Sequence, residues 1–228
     1  MNEKVLRRQV ATPDRSAAPD VNPTGREKRI GIFGGAFDPP HQAHRALARA
    51  ALAQFDLDCL HLIPTGQAWH KARVLTAPEH RLAMTRLAFE GEPRCVVDDR
   101  ELQRAGPTFT IDTLEALKAL NPNASLYLFM GDDQFATFQQ WHRWQDILDI
   151  AIICIAARAH SDWAGGQFDA YPGRFDRFAV LEMPLSPVSA TQIRQLIASG
   201  AIGDSHLAQL VSEPVARYIS LHRLYGVC

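Results

Sequence analysis

The sequence predicts an α/β fold, doubly wound around a parallel sheet, and three observations predict it. Strand-like and helix-like patterns alternate from residue 29 onward. Two strand candidates, Leu126 to Met130 and Ala151 to Ile155, are almost continuously apolar, as strands buried on both faces are. A glycine-rich turn, GIFGGAFDPPHQAH at 31–44, sits where a first strand passes into a first helix.

Ile30, Ile32 and Phe33 form the first strand, over 29–34, and Gly34 and Gly35 end it. Ala43, Ala46, Leu47, Ala50, Ala51 and Leu52 recur at helical spacing and place a helix at 42–55. Further strands are expected at 59–63, 94–98, 125–130, 150–155 and 178–182, with helices at 78–90, 110–120 and 132–147 between them. The stretch 156–178 reads as a long connection rich in Gly, Asp, Arg and aromatics. The chain then turns helical. Ser189 caps a segment through Ile193, Leu196 and Ile197 that Gly200 stops, and a last helix starts at Pro214 and carries Val215, Tyr218, Ile219 and Leu221. The expected architecture is a Rossmann-like parallel sheet with helices on both faces and a small C-terminal helical part from about 187. It forms one domain over 29–226. Residues 1–28, with Pro13, Pro19, Pro23 and Gly25 and no apolar period, read as a flexible extension.

Composition narrows the class. The 228 residues are 46% hydrophobic and carry a formal net charge of −1, which argues against a nucleic-acid or membrane-surface partner and favours a small ligand. Cys59, Cys95, Cys154 and Cys228 match no metal spacing and suit a reducing compartment. No apolar run of membrane-spanning length exists, the first residues lack the apolar core of a secretory signal, and Glu3, Asp14 and Asp20 interrupt the basic residues of a transit peptide. The expected location is the cytoplasm.

Glycine lets a ligand approach the backbone, and the free N–H groups of a helix start attract anions. His41 and His44, one helical turn apart, can face the same anion. Glycines at 31, 34 and 35 do not fit G-x-G-x-x-G, and Pro39 and Pro40 interrupt the helix start, so a nicotinamide-dependent dehydrogenase is disfavoured. A paired glycine alone reads as well as a tight turn, and either histidine alone as a helix cap. Gly34, Gly35, Phe37, Asp38, His41 and His44 together on one strand-to-helix junction point to phosphate binding.

On these residues the chain resembles the nucleotidylyltransferase superfamily, and within it the bacterial nicotinate-nucleotide adenylyltransferase family. The resemblance covers about 29–226. It continues through Ile63, Pro64, His70 and Lys71, through Pro107 to Thr113, through Gly131, Asp132, Asp133, Thr137, Phe138 and Trp141, and through Ser189 to Arg194 and Glu213, Pro214, Val215 and Tyr218. Ala36 stands where the family usually has Thr or Ser, Ala43 where Gly is usual, Ala68 and Trp69 where prolines are, and Ala159 and His160 after Arg158 where Pro-Gly is.

The resemblance implies adenylyl transfer from ATP to nicotinate mononucleotide, with Mg2+ carried by ATP and no resident metal. His41, His44, Lys71 and Arg194 are then the catalytic set. Gly34, Gly35, Phe37, Asp38, Ser189 and Thr191 join His41, His44 and Arg194 around ATP. Gly66, Thr110, Gly131, Asp133, Trp141 and Arg158 face the pyridine nucleotide. Read from the residues alone, Trp141 fits the core beside Phe138 and Trp144 as well as a stacking platform, Thr110 fits a helix N-cap, and 189–194 fits an ordinary capped helix. The implied nucleophile, a phosphate with a second pKa near 6, needs no general base, in keeping with a chain that offers no Ser-His-Asp or Cys-His set. Nicotinamide mononucleotide or phosphopantetheine as acceptor, a nucleotide-binding regulator without turnover, and assembly with further copies of the chain stay open.

Overall fold

The structure is a computed structural model that describes residues 25–66, 74–158, 171, 173–183 and 188–226. Six strands form one parallel sheet in the order β3-β2-β1-β4-β5-β6. They are β1 (Arg29–Gly35), β2 (Cys59–Pro64), β3 (Cys95–Val97), β4 (Ser125–Gly131), β5 (Ala151–Arg158) and β6 (Phe178–Met183). The helices are α1 (Gln42–Gln54), α2 (Pro78–Phe89), α3 (Thr110–Leu120), α4 (Asp132–Phe135), α5 (Trp144–Ile150), α6 (Ala190–Ala198), α7 (Asp204–Leu210) and α8 (Glu213–Leu221). No helix among the described residues is long and apolar enough to cross a membrane.

The period of two along β1 assigns the two faces. Ile30 and Ile32 join the core under α3 and α5, with Ile111, Leu114, Leu117, Ile147 and Leu148. Phe33 joins the opposite core with Leu47, Ala51 and Leu52 of α1, Met84 and Phe89 of α2, and Ile193, Leu207, Val215 and Ile219 of the C-terminal helices. Gly31 faces that second core where no Cβ fits, because one would come within 2.6 Å of Leu60 Cδ1 and 2.7 Å of Leu57 Cδ1. The outer strand β6 is partly shielded at its edge by α1. Gln54 donates to the Val180 carbonyl at 2.7 Å and accepts the Glu182 N–H at 2.9 Å, pairing backbone groups that an open edge would expose.

Strand order reverses between β1 and β4, and there the sheet opens. β1 stays in register with β2 as far as Gly35↔Pro64, but with β4 only as far as Phe33↔Phe129. β4 runs on beside β5 to Gly131↔Ala156. The two central strands therefore part at their carboxyl ends, the place where doubly wound sheets hold ligands.

Most elements match the sequence reading to within a residue or two, and the differences have local causes. The helix expected at 132–147 is broken into α4, a 3-10 turn at Phe138–Gln140 and α5, because the backbone leaves helical geometry at Thr137 (φ −112, ψ 9) and Trp141 (φ −72, ψ 144), and Arg143, just before α5, is left-handed (φ 53). α7 was not anticipated. β5 extends to Arg158, into the stretch read as connection, while 159–170 and residue 172 lie outside the described residues, as do the extension up to 24 and Cys228. Cys59, Cys95 and Cys154 are free thiols. The stop at Gly200 is as expected: Gly200 (φ 66) donates to the Ile197 carbonyl and Ala201 to that of Leu196, each at 3.0 Å, which satisfies the last carbonyls of α6.

Leu57 and Leu60 are both fully buried, so Gly31→Ala forces two packed side chains to move. The expected cost is about 1–3 kcal/mol in denaturant melts, and an unchanged midpoint would show that this face of β1 is loosely packed.

Candidate active site

The turn between β1 and α1 is anchored from below and open above. Gly34 is exposed, and a Cβ on Gly34 or on Gly131 would meet nothing within 4 Å, so both strand ends border the opening. Phe37 adopts φ 47 and turns its ring inward, edge-on to Phe33 at 5.6 Å and to Phe89 at 6.4 Å. Phe37, expected in the ATP set, is 1% exposed, so its ring plugs the core beneath the turn and only its backbone is left to face a ligand.

Asp38 is equally buried, and its side chain is likewise turned inward. One carboxylate oxygen accepts the Tyr225 hydroxyl at 2.7 Å and the other the Thr76 N–H at 3.2 Å. Its backbone carbonyl accepts Arg194 Nη1 at 2.7 Å. Asp38, expected in the ATP set, thus shapes the turn from inside. Arg81, 2% exposed, reinforces it by donating to the carbonyls of Ala36 (3.0 Å) and Thr76 (2.9 Å). Sequence reasoning missed Arg81, Thr76 and Tyr225. Arg81 left a signal, because it shares a helical stripe with buried Met84, Thr85 and Ala88.

His41 takes the N-cap position of α1 in an extended conformation, and its own N–H donates to His44 Nδ1 at 3.1 Å. That bond fixes the His44 tautomer: Nδ1 is the acceptor, so the proton resides on Nε2. The two imidazoles stack with centroids 3.8 Å apart, and the His44 ring also lies 5.0 Å from Phe37 and 5.8 Å from Phe33. Burial brings the His41 pKa down to about 4. Burial, and then the neighbouring His41, hold His44 well below the usual histidine value. Both rings are therefore neutral at physiological pH. The His41 Nδ1 atom is buried with no hydrogen-bond partner, an unused polar atom at a helix start.

α6 brings the second half. Ser189 is its N-cap and accepts the Gln192 N–H at 3.2 Å. Arg194 spans the gap to the first half, with Nη2 donating to Thr191 Oγ1 at 3.0 Å while Nη1 reaches Asp38. Residues 156 positions apart are thereby joined, and α6 is tied to the turn that leads from β1 into α1.

The residues expected around the pyridine nucleotide fall on the α3–α5 side. Thr110 is the first residue of α3 and not its cap: Phe109, extended at φ −114, ψ 141, takes the cap position and supplies no side-chain acceptor. The Phe109 ring lies 4.4 Å from that of His142. Neighbouring Trp141 closes the 3-10 turn, partly buried and edge-on to Phe138 at 5.7 Å. Gly66 is required by packing, since a Cβ there would sit 2.2 Å from the Glu101 carbonyl and 2.8 Å from Thr108 Cγ2. Gly131 caps α4, and Asp133 is exposed in its first turn. Arg158 ends β5 beside Met183, and its side chain lies outside the described residues, as does the whole of Lys71 together with Ala68, Trp69 and His70. Among the described residues no three His, Cys, Asp or Glu side chains are gathered as a metal-ligand set.

Comparison with known proteins agrees with this arrangement. The model of the cytidylyltransferase-like family matches residues 32–196. A protein of Albidiferax ferrireducens named a probable nicotinate-nucleotide adenylyltransferase is 54% identical over 87% of this chain and 98% of its own length. Similarly named proteins of Bordetella petrii (42%, over 87% of this chain and 99% of the relative) and Methylibium petroleiphilum (36%, over 88% and 93%) are also close. Two structures of Plasmodium falciparum nicotinic acid mononucleotide adenylyltransferase share the fold. The complex with APC has a TM-score of 0.72 at 19% identity, and the complex with NaAD 0.71 at 20%, each covering 87% of this chain and 98% of the other. The family model spans both halves of the clamp, from β1 through Arg194, and with relatives this similar over nearly their whole length the chain belongs to the cytidylyltransferase-like family and, within it, to the nicotinate-nucleotide adenylyltransferases.

Proposed function

We propose that the chain transfers the adenylyl group of ATP to nicotinate mononucleotide, releasing pyrophosphate and forming nicotinate adenine dinucleotide. The observation that carries the reading is the tie between α6 and the β1–α1 turn, through Arg194 and Asp38, beside the opened carboxyl ends of β1 and β4. Helix starts offer N–H donors to anions, and Arg194 adds a permanent charge. The names of the relatives support the choice of acceptor.

In the reaction the mononucleotide phosphate attacks the ATP α-phosphorus; one P–O bond forms as the bond to pyrophosphate breaks. The attacking phosphate is largely dianionic at neutral pH, so no residue has to take a proton from it. The barrier is electrostatic, because two polyanions must meet in line and the leaving group gains charge. Magnesium enters as part of the ATP substrate. His44, its proton on Nε2, and His41 donate hydrogen bonds to the phosphates without a proton transfer, and Arg194 and Lys71 compensate the charge. Gly34 and Gly35 let the phosphates approach the backbone, and Ser189 and Thr191 belong to the same half. On the acceptor side the first N–H groups of α3, with no side-chain cap on Phe109, suit the nicotinate carboxylate beside Trp141. Asp133 suits the ribose, and Gly66 and Arg158 complete the acceptor site.

The direct test is a pyrophosphate-release assay with Mg–ATP, offering nicotinate mononucleotide, nicotinamide mononucleotide and phosphopantetheine separately. Release with the first and little with the others is expected; release with none would leave only a nucleotide-binding role. His41→Ala and His44→Ala should each lower turnover about 100- to 1000-fold with the fold retained, and near wild-type turnover in both would remove the histidines from the mechanism. Trp141→Ala should weaken the hold on nicotinate mononucleotide and leave ATP affinity little changed; equal loss for both would make Trp141 structural.

The neutral histidines also set a pH dependence. Their folded pKa values lie below the unfolded value of 6.5, so between 6.5 and about 4 the unfolded chain binds more protons. Stability from this source is complete above 6.5 and is lost as pH falls towards 4. His41→Asn, a residue suited to the N-cap position, should flatten the fall in melting temperature over that range, and an unchanged slope would show that His41 does not titrate in this way.

A further inference from the structure

Among the residues that hold the turn after β1 from outside every motif of the site, one comes from the end of the chain. Tyr225 follows α8, 187 positions from Asp38, and its hydroxyl donates to the Asp38 carboxylate at 2.7 Å. The chain is bent to bring it there. After α8, Arg223 enters the left-handed region (φ 50) and donates to the Ser220 carbonyl at 3.2 Å, Leu224 donates to that of Ile219 at 3.0 Å, and Tyr225 itself has φ 63. The Tyr225 ring packs against the core that holds Phe37, Met84 and Ile193, and its oxygen lies 3.8 Å from Met84 Sδ. The Leu224 bond with a left-handed Arg223 is the usual way a helix ends, and the second left-handed residue, Tyr225 itself, is what turns the ring back toward the buried carboxylate.

We propose that Tyr225 is a positioning residue for the ATP half of the site: by donating to Asp38 it fixes the turn whose carbonyl anchors Arg194 and whose end places His41 and His44. The inference rests on the reading that this turn holds the ATP phosphates. The asymmetry of the node supports it. Asp38 has both carboxylate oxygens engaged, and the Thr76 N–H bond, at 3.2 Å, is at the long end for its kind while the Tyr225 bond, at 2.7 Å, has full hydroxyl–oxygen contact. Burial, the Asp38 charge and the Asp38 hydrogen bond all push the Tyr225 ionisation up, so the hydroxyl remains a donor throughout the working range of pH. Removing it takes one donor from a carboxylate that is 1% exposed, and the turn loses the bond that ties it to the end of the chain. Glu101, which accepts the Thr113 hydroxyl at 2.9 Å and backs the loop leading to Thr110, belongs to the other half of the site and is untouched by this change.

The test is Tyr225→Phe in the full chain, which keeps the ring and removes only the hydroxyl. Calorimetric titration should show Mg–ATP binding weakened about tenfold and nicotinate mononucleotide binding changed by less than about twofold, with the folded state retained in melts. In an Asp38→Asn background the same change should cost Mg–ATP binding nothing further, since the two residues act as one unit. Unchanged Mg–ATP affinity, equal loss for both ligands, additive losses in the double variant, or failure of Tyr225→Phe to fold would each overturn the assignment and make Tyr225 a general structural contact. Because binding is measured without turnover, wild-type protein that releases no pyrophosphate overturns the proposed reaction alone, and an unchanged Mg–ATP affinity overturns the role of Tyr225 alone.

Discussion

A buried carboxylate at residue 38 is the constraint on which the rest of the site depends. An ionised group with 1% exposure is costly unless donors replace its water, and here a main-chain N–H from Thr76 and a hydroxyl from Tyr225 do so. Those donors come from the approach to α2 and from the chain after α8. The same residue's carbonyl takes Arg194 from α6, and Arg81 of α2 closes the group through Ala36 and Thr76. The strand-to-helix turn is thus a meeting point for three other stretches of chain: the start of α2, α6 and the segment after α8. Its shape is determined by long-range bonds, with little of the freedom that two glycines would otherwise allow.

That constraint organises the electrostatics. The site has to tolerate two crowded polyanions, yet it is built with few formal charges. The stacked histidines are kept neutral by burial, which removes two cations that would repel Arg194 and each other, while leaving N–H donors in a fixed direction. Helix starts add partial positive charge that costs no ion desolvation. Arg194 is the one permanent cation among the described members of the ATP set, and it is oriented by Thr191 and Asp38 before any ligand arrives. Such preorganisation is where electrostatic catalysis draws its effect, since donors already in place need not reorganise as charge develops.

The fold was legible because its signals are local and periodic. The apolar alternation of β1, the stripe of α1 and the Ser189 cap with its Gly200 stop all act over a few residues, and the structure reproduces them. The region 132–147 misled because Phe135, Phe138, Ile147 and Leu148 supply a buried face without continuous helix, and the breaks at Thr137, Trp141 and the left-handed Arg143 have no local signature. Thr110 was displaced from the cap by one residue for a similar reason: an extended Phe109 is set by packing near His142, not by cap chemistry. The candidate site was legible as a set of residue types, because phosphate chemistry demands glycines, helix starts and cations. Which side chains face inward was not. Phe37 and Asp38 sit inside a motif whose spacing suggests ligand contact, but their burial is decided by Phe33, Phe89, Thr76 and Tyr225, partners up to 187 positions away that no spacing rule connects.

The central claim is that the node around Asp38 presents two neutral histidines and one arginine to the phosphates of ATP. It is tested most directly by following the histidine ring nitrogens and the arginine side-chain nitrogens by NMR while Mg–ATP is added. In the nucleotide-free protein His44 should appear as the Nε2–H tautomer, and Mg–ATP should shift the His41, His44 and Arg194 signals together at one shared affinity. An Nδ1–H tautomer for His44, or a titration that leaves Arg194 unmoved while the histidines respond, would contradict the clamp as described.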